Sequence, residues 1–394
     1  MREFLNLGEH PLDNAIVSRE KLAEPEMRYP LRVLFCQECG LSQLGEVISP
    51  KILFRDYVYL TSGMPRVSEH FRNYANDIVD RFSRPGGLVV EIGSNDGILL
   101  AAVKERGTRV LGIDPALNIA KVANDRGVET IPDFFSQHLA TDIARKYGQA
   151  DVVIGNNVVA HIDDHHDLLR GVITFLKPDG AFIFEAPYLL DMFERLAFDS
   201  IYHEHLSYLS IRPLRRLMQD HEMEIFDVRM FPVQGESIRV FAGLAGKHAI
   251  MPSVAKFLEL EEKSGLDDFE SYQELSSRIQ QLKSEVVSTL HDFKRQGKRI
   301  AGYGAPARGN TILNYYGIGP DMLEYATEEL PTKIGRFTPG THIPVIHVEE
   351  SRKNPPDYYL LLAWNYLDAV LEKERAFRER GGKFILPVGE TRIM

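Results

Sequence analysis

The stretch Leu88-Val89-Val90-Glu91-Ile92-Gly93-Ser94-Asn95-Asp96-Gly97-Ile98-Leu99-Leu100 constrains this chain more than any other. An apolar run ends in an acid, two glycines follow four positions apart, and an apolar helix start comes next. The pattern reads as a buried parallel strand, a sharp turn and a helix. Glycine removes the Cβ that would keep a ligand off the backbone. Asn95 and Asp96 suit the N-terminal turn of the helix.

Charge selects the ligand. A dinucleotide pyrophosphate calls for Gly-x-Gly-x-x-Gly and free amide donors at the helix N-terminus. Here the middle glycine is missing and Glu91 precedes the loop. Its carboxylate repels a diphosphate and favours the ammonium and sulfonium of S-adenosylmethionine. The next run, Arg109-Val110-Leu111-Gly112-Ile113-Asp114, ends in an acid placed to accept both ribose hydroxyls of an adenosine. Gly93, Ser94, Asn95, Gly97 and Pro115 complete the turns around that ligand, with Ser62 joining from upstream. An ordinary βαβ turn with surface carboxylates accounts less well for two acids in these positions.

Strands are expected at Leu88–Ile92, Arg109–Ile113, 152–155 and 181–184, with helices between. Ahead of them Phe71, Tyr74, Ile78, Val79 and Phe82 have helical spacing. This is the pattern of a doubly wound parallel sheet. Asp133 sits where an acid takes the adenine amino group. Asn156 and Asn157 fall at the carboxyl edge, where such sheets bind ligands. His161 follows; it is either a satisfied structural histidine or a group at the mouth of the sheet that touches substrate.

Tyr202-His203-Glu204-His205 lacks the His-x₃-His spacing of a metalloprotease and offers no serine elbow. Its side chains suit acid–base work. His205 can take a carbon-bound proton made acidic by a neighbouring ketone. Glu204 can orient the imidazole, and Tyr202 can donate to the enolate oxygen. The bland reading is a solvated polar loop, which a position at the ligand edge of the sheet disfavours.

Residues 1 to about 70 read as short strands and turns. Cys36-Gln37-Glu38-Cys39-Gly40 has the spacing of a zinc knuckle, but a structural zinc needs four ligands. Two reduced cysteines in a turn is the equal alternative. Tyr57 and Tyr59 share a face if extended, so their hydroxyls can line a polar pocket or simply cover a β surface.

Residues 251–297 read as polar amphipathic helices, a spacer. Beyond them Lys298-Arg299-Ile300-Ala301-Gly302-Tyr303-Gly304-Ala305-Pro306-Ala307-Arg308-Gly309 opens a second strand–glycine loop–helix unit. No acid precedes these glycines and Arg308 lies beside them, a balance that suits a diphosphate on backbone amides. Tyr303, Gly304 and Arg308 are the substrate-facing candidates. A basic loop from Lys333 to Thr341 could close over the same anion, and the rival reading is a structural domain with an empty loop. The expected domains are 1–68, 69–250, 251–297 and 298–394.

A chain of 394 residues has room for two or three domains. A net charge of −10 argues against a nucleic-acid partner. No apolar run reaches the roughly 18 residues of a membrane span, so no membrane partner is expected. The N-terminus lacks a signal-peptide pattern. The cysteine count of 2 excludes a disulfide scaffold and fits a reducing cytoplasm. A monomer is expected.

These stretches together resemble the sugar C-methyltransferases, S-adenosylmethionine-dependent enzymes acting on nucleotide-linked 4-keto-deoxysugars. The likeness spans nearly the whole chain. It is carried by Cys-x-x-Cys, Tyr-x-Tyr-x-x-Ser-Gly, Glu-Ile-Gly-Ser-Asn-Asp-Gly, Tyr-His-Glu-His-Leu-Ser-Tyr-Leu-Ser and Gly-Tyr-Gly-Ala-Pro-Ala-Arg-Gly-Asn. The resemblance implies a small zinc domain, a class I methyltransferase domain and a C-terminal Rossmann-like domain that helps hold the nucleotide sugar. It implies His205 as base, with Glu204, Tyr202, His161 and one of the N-terminal tyrosines around the sugar. The family's zinc domain has an earlier Cys-x-x-Cys upstream of the segment matching Phe4-Leu5-Asn6-Leu7-Gly8, for which this sequence leaves no room. That pair is expected to be lost, or to lie before an earlier start. Rival functions are O- or N-methylation of another small molecule, or binding without catalysis.

Overall fold

The computed structural model describes residues 1–55, 57, 60–63, 65–231 and 237–394, with backbone alone at 63 and 65–68. Tyr59 lies outside the described residues.

Three sheets organise the chain. In the first, β1 (Arg2–His10) pairs antiparallel with β2 (Tyr29–Phe35), and β2 with β3 (Ser42–Leu44). Along β2, Leu31, Val33 and Phe35 are buried while Arg32 and Leu34 between them are half-buried, the period-two alternation of a strand with one face on a core.

The second sheet is the frame of the site. Its strands are β4 (Leu88–Ile92), β5 (Arg109–Ile113), β6 (Thr130–Ile131), β7 (Ala150–Ile154) and β8 (Leu176–Pro187), followed after an excursion by β10 (Met223–Phe231) and β11 (Ser237–Leu244). The order is β10-β11-β8-β7-β4-β5-β6. β8 to β6 run parallel, and β11 lies antiparallel between β8 and β10. Every residue of β4 and β7 is buried, as expected when helices cover both faces of a parallel sheet. The four expected strands, β4, β5, β7 and β8, are parallel as the sequence predicts, and one antiparallel hairpin extends the sheet at its edge. Two strands also start earlier than expected, at Ala150 and Leu176.

The excursion is β9 (Ser207–Tyr208). It leaves the central sheet and pairs with β3, completing the first sheet. Leu44 N also donates to Leu206 O at 2.9 Å. The residues just after His205 are thus fixed in the N-terminal sheet. The third sheet, of order β14-β13-β12-β15-β16-β17, contains β12 (Ile300–Tyr303), β13 (Ala326–Glu328), β14 (Val345–His347), β15 (Tyr358–Leu361), β16 (Lys383–Leu386) and β17 (Arg392–Ile393).

The helix Phe269–Arg295 is more than the expected spacer. Its Tyr272 ring centroid lies 4.4 Å from that of Phe35 and 4.8 Å from that of Phe4, and Ile279, Leu282 and Val286 are buried along the same helix. Apolar residues at helical spacing here make core against the first sheet. Among the described residues, no helix is long and apolar enough to cross a membrane.

Candidate active site

β4, β5 and β7 end side by side, and their outgoing loops form one edge. Gly93 follows β4 at φ +66°, and a Cβ there would lie 2.9 Å from Val158 Cγ2. The turn therefore admits no side chain. Asp114, at the end of β5, accepts from Asn95 N at 2.8 Å and from Ala116 N at 2.9 Å, clamping the two loops together.

The expected capping role of Asn95 and Asp96 is corrected. Gly97, at φ 75°, is the N-cap of the helix Ile98–Glu105 and no side chain caps it. Asn95 Oδ1 instead accepts from Thr61 N at 3.0 Å. Asp96 Oδ2 accepts from Ser62 N at 3.3 Å and from Arg126 at 2.8 Å. A distant segment outcompetes the helix's own first turn for these acceptors.

Glu91 accepts from the Asn156 amide at 3.2 Å through one oxygen. Its other oxygen is buried without a partner among the described residues, as are Ser94 Oγ, Asp96 Oδ1, Asn156 Oδ1 and Asn157 Oδ1. Burial pushes the Glu91 carboxyl well above the usual carboxylate range, with Asp114 and Asp96 nearby adding to it, and burial raises Asp114 too. Buried acceptors without donors are rare in folded proteins. A cluster of them beside two carboxyls fits a ligand that brings hydrogen-bond donors and positive charge. S-adenosylmethionine has both, in its ammonium, ribose hydroxyls and sulfonium. Asp133 is different from the rest of the expected set. It is exposed, 3.6 Å from Arg55, and bonded to Phe134 N.

Residues 50–55, 57 and 60–62 lie across this edge. Arg55 Nη1 donates to Pro115 O at 3.4 Å, and Asn118 brackets the Tyr57 backbone with bonds of 3.3 and 2.8 Å. Ser62 Oγ accepts from Arg126 at 3.2 Å. The Phe54 ring lies parallel to His161, 5.6 Å between centroids. Tyr57 OH donates to Glu204 Oε2 at 2.9 Å.

His161, Tyr202, Glu204 and His205 are brought together. The His205 ring stacks on His161 with centroids 5.1 Å apart and lies tilted against Tyr202 at 4.0 Å. His205 Nδ1 lies 2.7 Å from Ser200 O. A carbonyl can only accept, so in the neutral imidazole Nδ1 carries the proton and Nε2 keeps its lone pair. Burial lowers the His205 pKa well below the usual histidine value, with His161 and Arg308 adding to it, and burial lowers His161 to about 4. Burial pushes the Tyr202 phenol up, so it stays a donor.

The expected role of Glu204 as the group orienting His205 is corrected. Its oxygens accept from Asn14 Nδ2 at 2.6 Å and from Tyr57, and the Ser200 carbonyl orients the imidazole. Asn14 lies in a turn far upstream, where Asx residues signal only a turn, so the sequence offered no pointer to it.

The C-terminal loop is divided. Tyr303 is corrected: its hydroxyl donates to Glu374 at 2.8 Å and its ring packs on Tyr359 and Phe384 within the third sheet's core. The Gly304 amide is committed to Thr327 Oγ1 at 3.2 Å. Lys333 does not close over an anion, because its ammonium bonds Ala305 O at 2.8 Å and lies 3.6 Å from Glu328. Arg308, in contrast, acts electrostatically on His205, Tyr202 and Asp199.

Cys36 and Cys39 flank a tight turn between β2 and β3, with Gly40 N on Cys36 O at 2.8 Å. Among the described residues, no three His, Cys, Asp or Glu side chains are grouped to hold a metal. The two thiols are half a tetrahedral set. Chelation is accordingly expected to leave the Tm of this chain unchanged, and a drop of several degrees after EDTA treatment would show that further ligands complete a site.

A mostly parallel sheet whose strand ends carry this acid–glycine edge defines a class I S-adenosylmethionine-dependent methyltransferase. Comparison with known proteins narrows the class. Residues 67–227 match a family described as "Methyltransferase domain", 232–389 a "C-methyltransferase C-terminal domain" and 1–54 a "Putative zinc binding domain". The "C-methyltransferase NovU" of Streptomyces niveus is 38% identical over 394 residues, covering 100% of this chain and 94% of that one. The chain belongs to the S-adenosylmethionine-dependent C-methyltransferase family. A "Ubiquinone biosynthesis O-methyltransferase" of Chromobacterium violaceum is 32% identical over 107 residues, 26% of this chain and 46% of the relative. The magnesium protoporphyrin IX methyltransferase of Synechocystis, solved with bound SAM, covers 48% of this chain and 86% of its own at 16% identity and a TM-score of 0.35, too slight a likeness to add to the assignment.

Proposed function

We propose that this chain methylates a carbon beside the ketone of a nucleotide-linked 4-keto-deoxysugar. The observation that supports it most is His205: neutral, fixed through Nδ1 on Ser200 O, with its Nε2 lone pair uncommitted. O- or N-methylation needs no such carbon-acid base. In this reading Nε2 takes the α-proton while the C–H electron pair becomes the new C=C bond and the ketone oxygen becomes an enolate. Tyr202 donates to that oxygen. S-adenosylmethionine, when bound, supplies the methyl that the α-carbon takes as the S–CH₃ bond breaks and sulfur keeps the pair. The proton on His205 then passes to solvent.

Glu91, Asp114, Ser94, Asn156 and Asn157 hold the cofactor. Tyr57, through Glu204, and His161 border the sugar. The diphosphate lies at the open amides of the first turn of the helix Ala307–Tyr316, whose N-cap is Pro306. The test supplies ¹³C-methyl cofactor and a nucleotide-linked 4-keto-deoxysugar and reads the product by NMR. A methyl carbon bonded to ring carbon supports the reading, and a methyl on oxygen or nitrogen refutes it.

The base must be neutral to work. Its lowered pKa places protonation on the acid side, so the neutral form persists as pH falls through the usual histidine range of about 6.5. The acid limb of kcat/KM is expected below that pH, and a limb at or above it would count against His205 in this role.

A further inference from the structure

One charged group beside the loop that carries His205 has a nitrogen without an acceptor among the described residues. Arg308 stands in the first turn of the helix Ala307–Tyr316, and its Nη1 is buried without a hydrogen-bond acceptor among the described residues. A guanidinium cannot shed its charge, so a buried guanidinium nitrogen without an acceptor marks a place for an anion.

The helix start is pinned to the catalytic loop. Thr311, three residues on from Arg308, donates to Ile201 O at 3.3 Å and to Asp13 Oδ1 at 3.2 Å, and Asn310 donates to Asp13 O at 2.7 Å. The Phe198 ring packs on Tyr315 and Tyr316 of the same helix. Ser200, which orients His205, lies between those contacts. The guanidinium acts on His205, Tyr202, Asp199 and Tyr366, the first three being residues of the loop that carries the imidazole. Asp199 is fully buried, bonded to Trp364 Nε1 at 2.6 Å through one oxygen, with its other oxygen unpartnered. Burial raises that carboxyl above the usual carboxylate range, toward its neutral form, so it does not cancel the guanidinium charge. It leaves Arg308 able to meet a single developing charge.

We propose that Arg308 is a catalytic residue that donates to the ketone oxygen of the substrate and stabilises the enolate, opposite the imidazole that removes the proton. The proposal rests on the carbanion reading above and sharpens it. The diphosphate is left to the helix-opening amides, and the oxygen that gains charge receives Tyr202 and Arg308 together. No electrons or atoms beyond the enolisation already written are required: the C–H pair moves to the ring and the carbonyl π pair moves to oxygen, against a fixed positive charge. Donors aimed where charge develops are worth roughly 10²–10³ in rate when one is removed.

The experiment follows exchange of the α-proton with D₂O. The probe is dTDP-4-keto-6-deoxyglucose held with S-adenosylhomocysteine, in wild type, Arg308→Gln and Arg308→Lys. Cofactor affinity, by titration calorimetry, confirms that the variants are folded. The expected result is that exchange and kcat fall together by about 10²-fold in Arg308→Gln, with a smaller fall in Arg308→Lys and a near-constant KM. Wild-type exchange in a folded Arg308→Gln, or a raised KM with kcat intact, would overturn the proposal and return Arg308 to the diphosphate. Absence of exchange in the wild type itself would bring down the carbanion reading instead.

Discussion

Replacing His205 with Asn is expected to lower turnover by about 10²–10⁴, the usual worth of a positioned general base. Asparagine approximates the size of imidazole and can still donate to Ser200 O, which holds His205 Nδ1 at 2.7 Å. The loop between Ser200 and β9 should therefore keep its course. What disappears is the lone pair on Nε2. Cofactor affinity should barely change, because Glu91 and Asp114 are held by Asn156 and by the Asn95 and Ala116 amides and not by His205. The α-proton of substrate held with S-adenosylhomocysteine should stop exchanging with D₂O. Exchange at the wild-type rate in His205→Asn would move the base to Tyr202 or Glu204.

Asp114→Ala is expected to weaken S-adenosylmethionine binding by about 1–3 kcal/mol per lost hydrogen bond left unsatisfied, roughly 5- to 150-fold in Kd for one such loss. Two effects combine. The carboxyl that accepts the ribose hydroxyls is removed, and so is the clamp that fixes Asn95 N and Ala116 N at 2.8 and 2.9 Å. With the second clamp gone, the loop after Gly93 loses its tie to the end of β5. Calorimetry with cofactor alone reads this directly. An unchanged Kd would mean that the acid ending β5 serves only the loop and that the ribose is held elsewhere.

Much of the frame was legible because it is written in local spacing. The run ending at Glu91, the two glycines and the acid at Asp114 are local signals, and the strand before the glycines is buried throughout. The exclusion of a dinucleotide turned on one missing glycine and one carboxylate, and it stands in the cluster of unpartnered oxygens around Glu91. The polar run at Tyr202 to His205 was legible as chemistry, but its internal roles were not. Adjacent residues on a chain need not meet. Glu204 turns to Asn14 and Tyr57, and a main-chain carbonyl, which has no sequence signature, takes the position expected of a carboxylate. Tyr303 failed for a related reason. Its place beside two glycines suggested a ligand, whereas the alternation of strand β12 turns its ring into the third sheet's own core.

The sequence by itself determined the α/β frame, the cofactor edge with its acids, and the reach of the family likeness. It did so because periodicity, glycine turns and strand-end acids act within a few tens of residues of one another. Tertiary structure alone decided how the loop that carries His205 is held. Asn14 meets Glu204 across 190 residues, Trp364 meets Asp199 across 165, and Thr311 meets Ile201 across 110. β9 leaves the sheet that precedes it to pair with β3. Side-chain polarity says that each of these groups needs a partner, but several partners of equal chemistry exist along the chain. Which one is taken depends on where three sheets pack against each other, and that is set by the summed burial of their apolar faces.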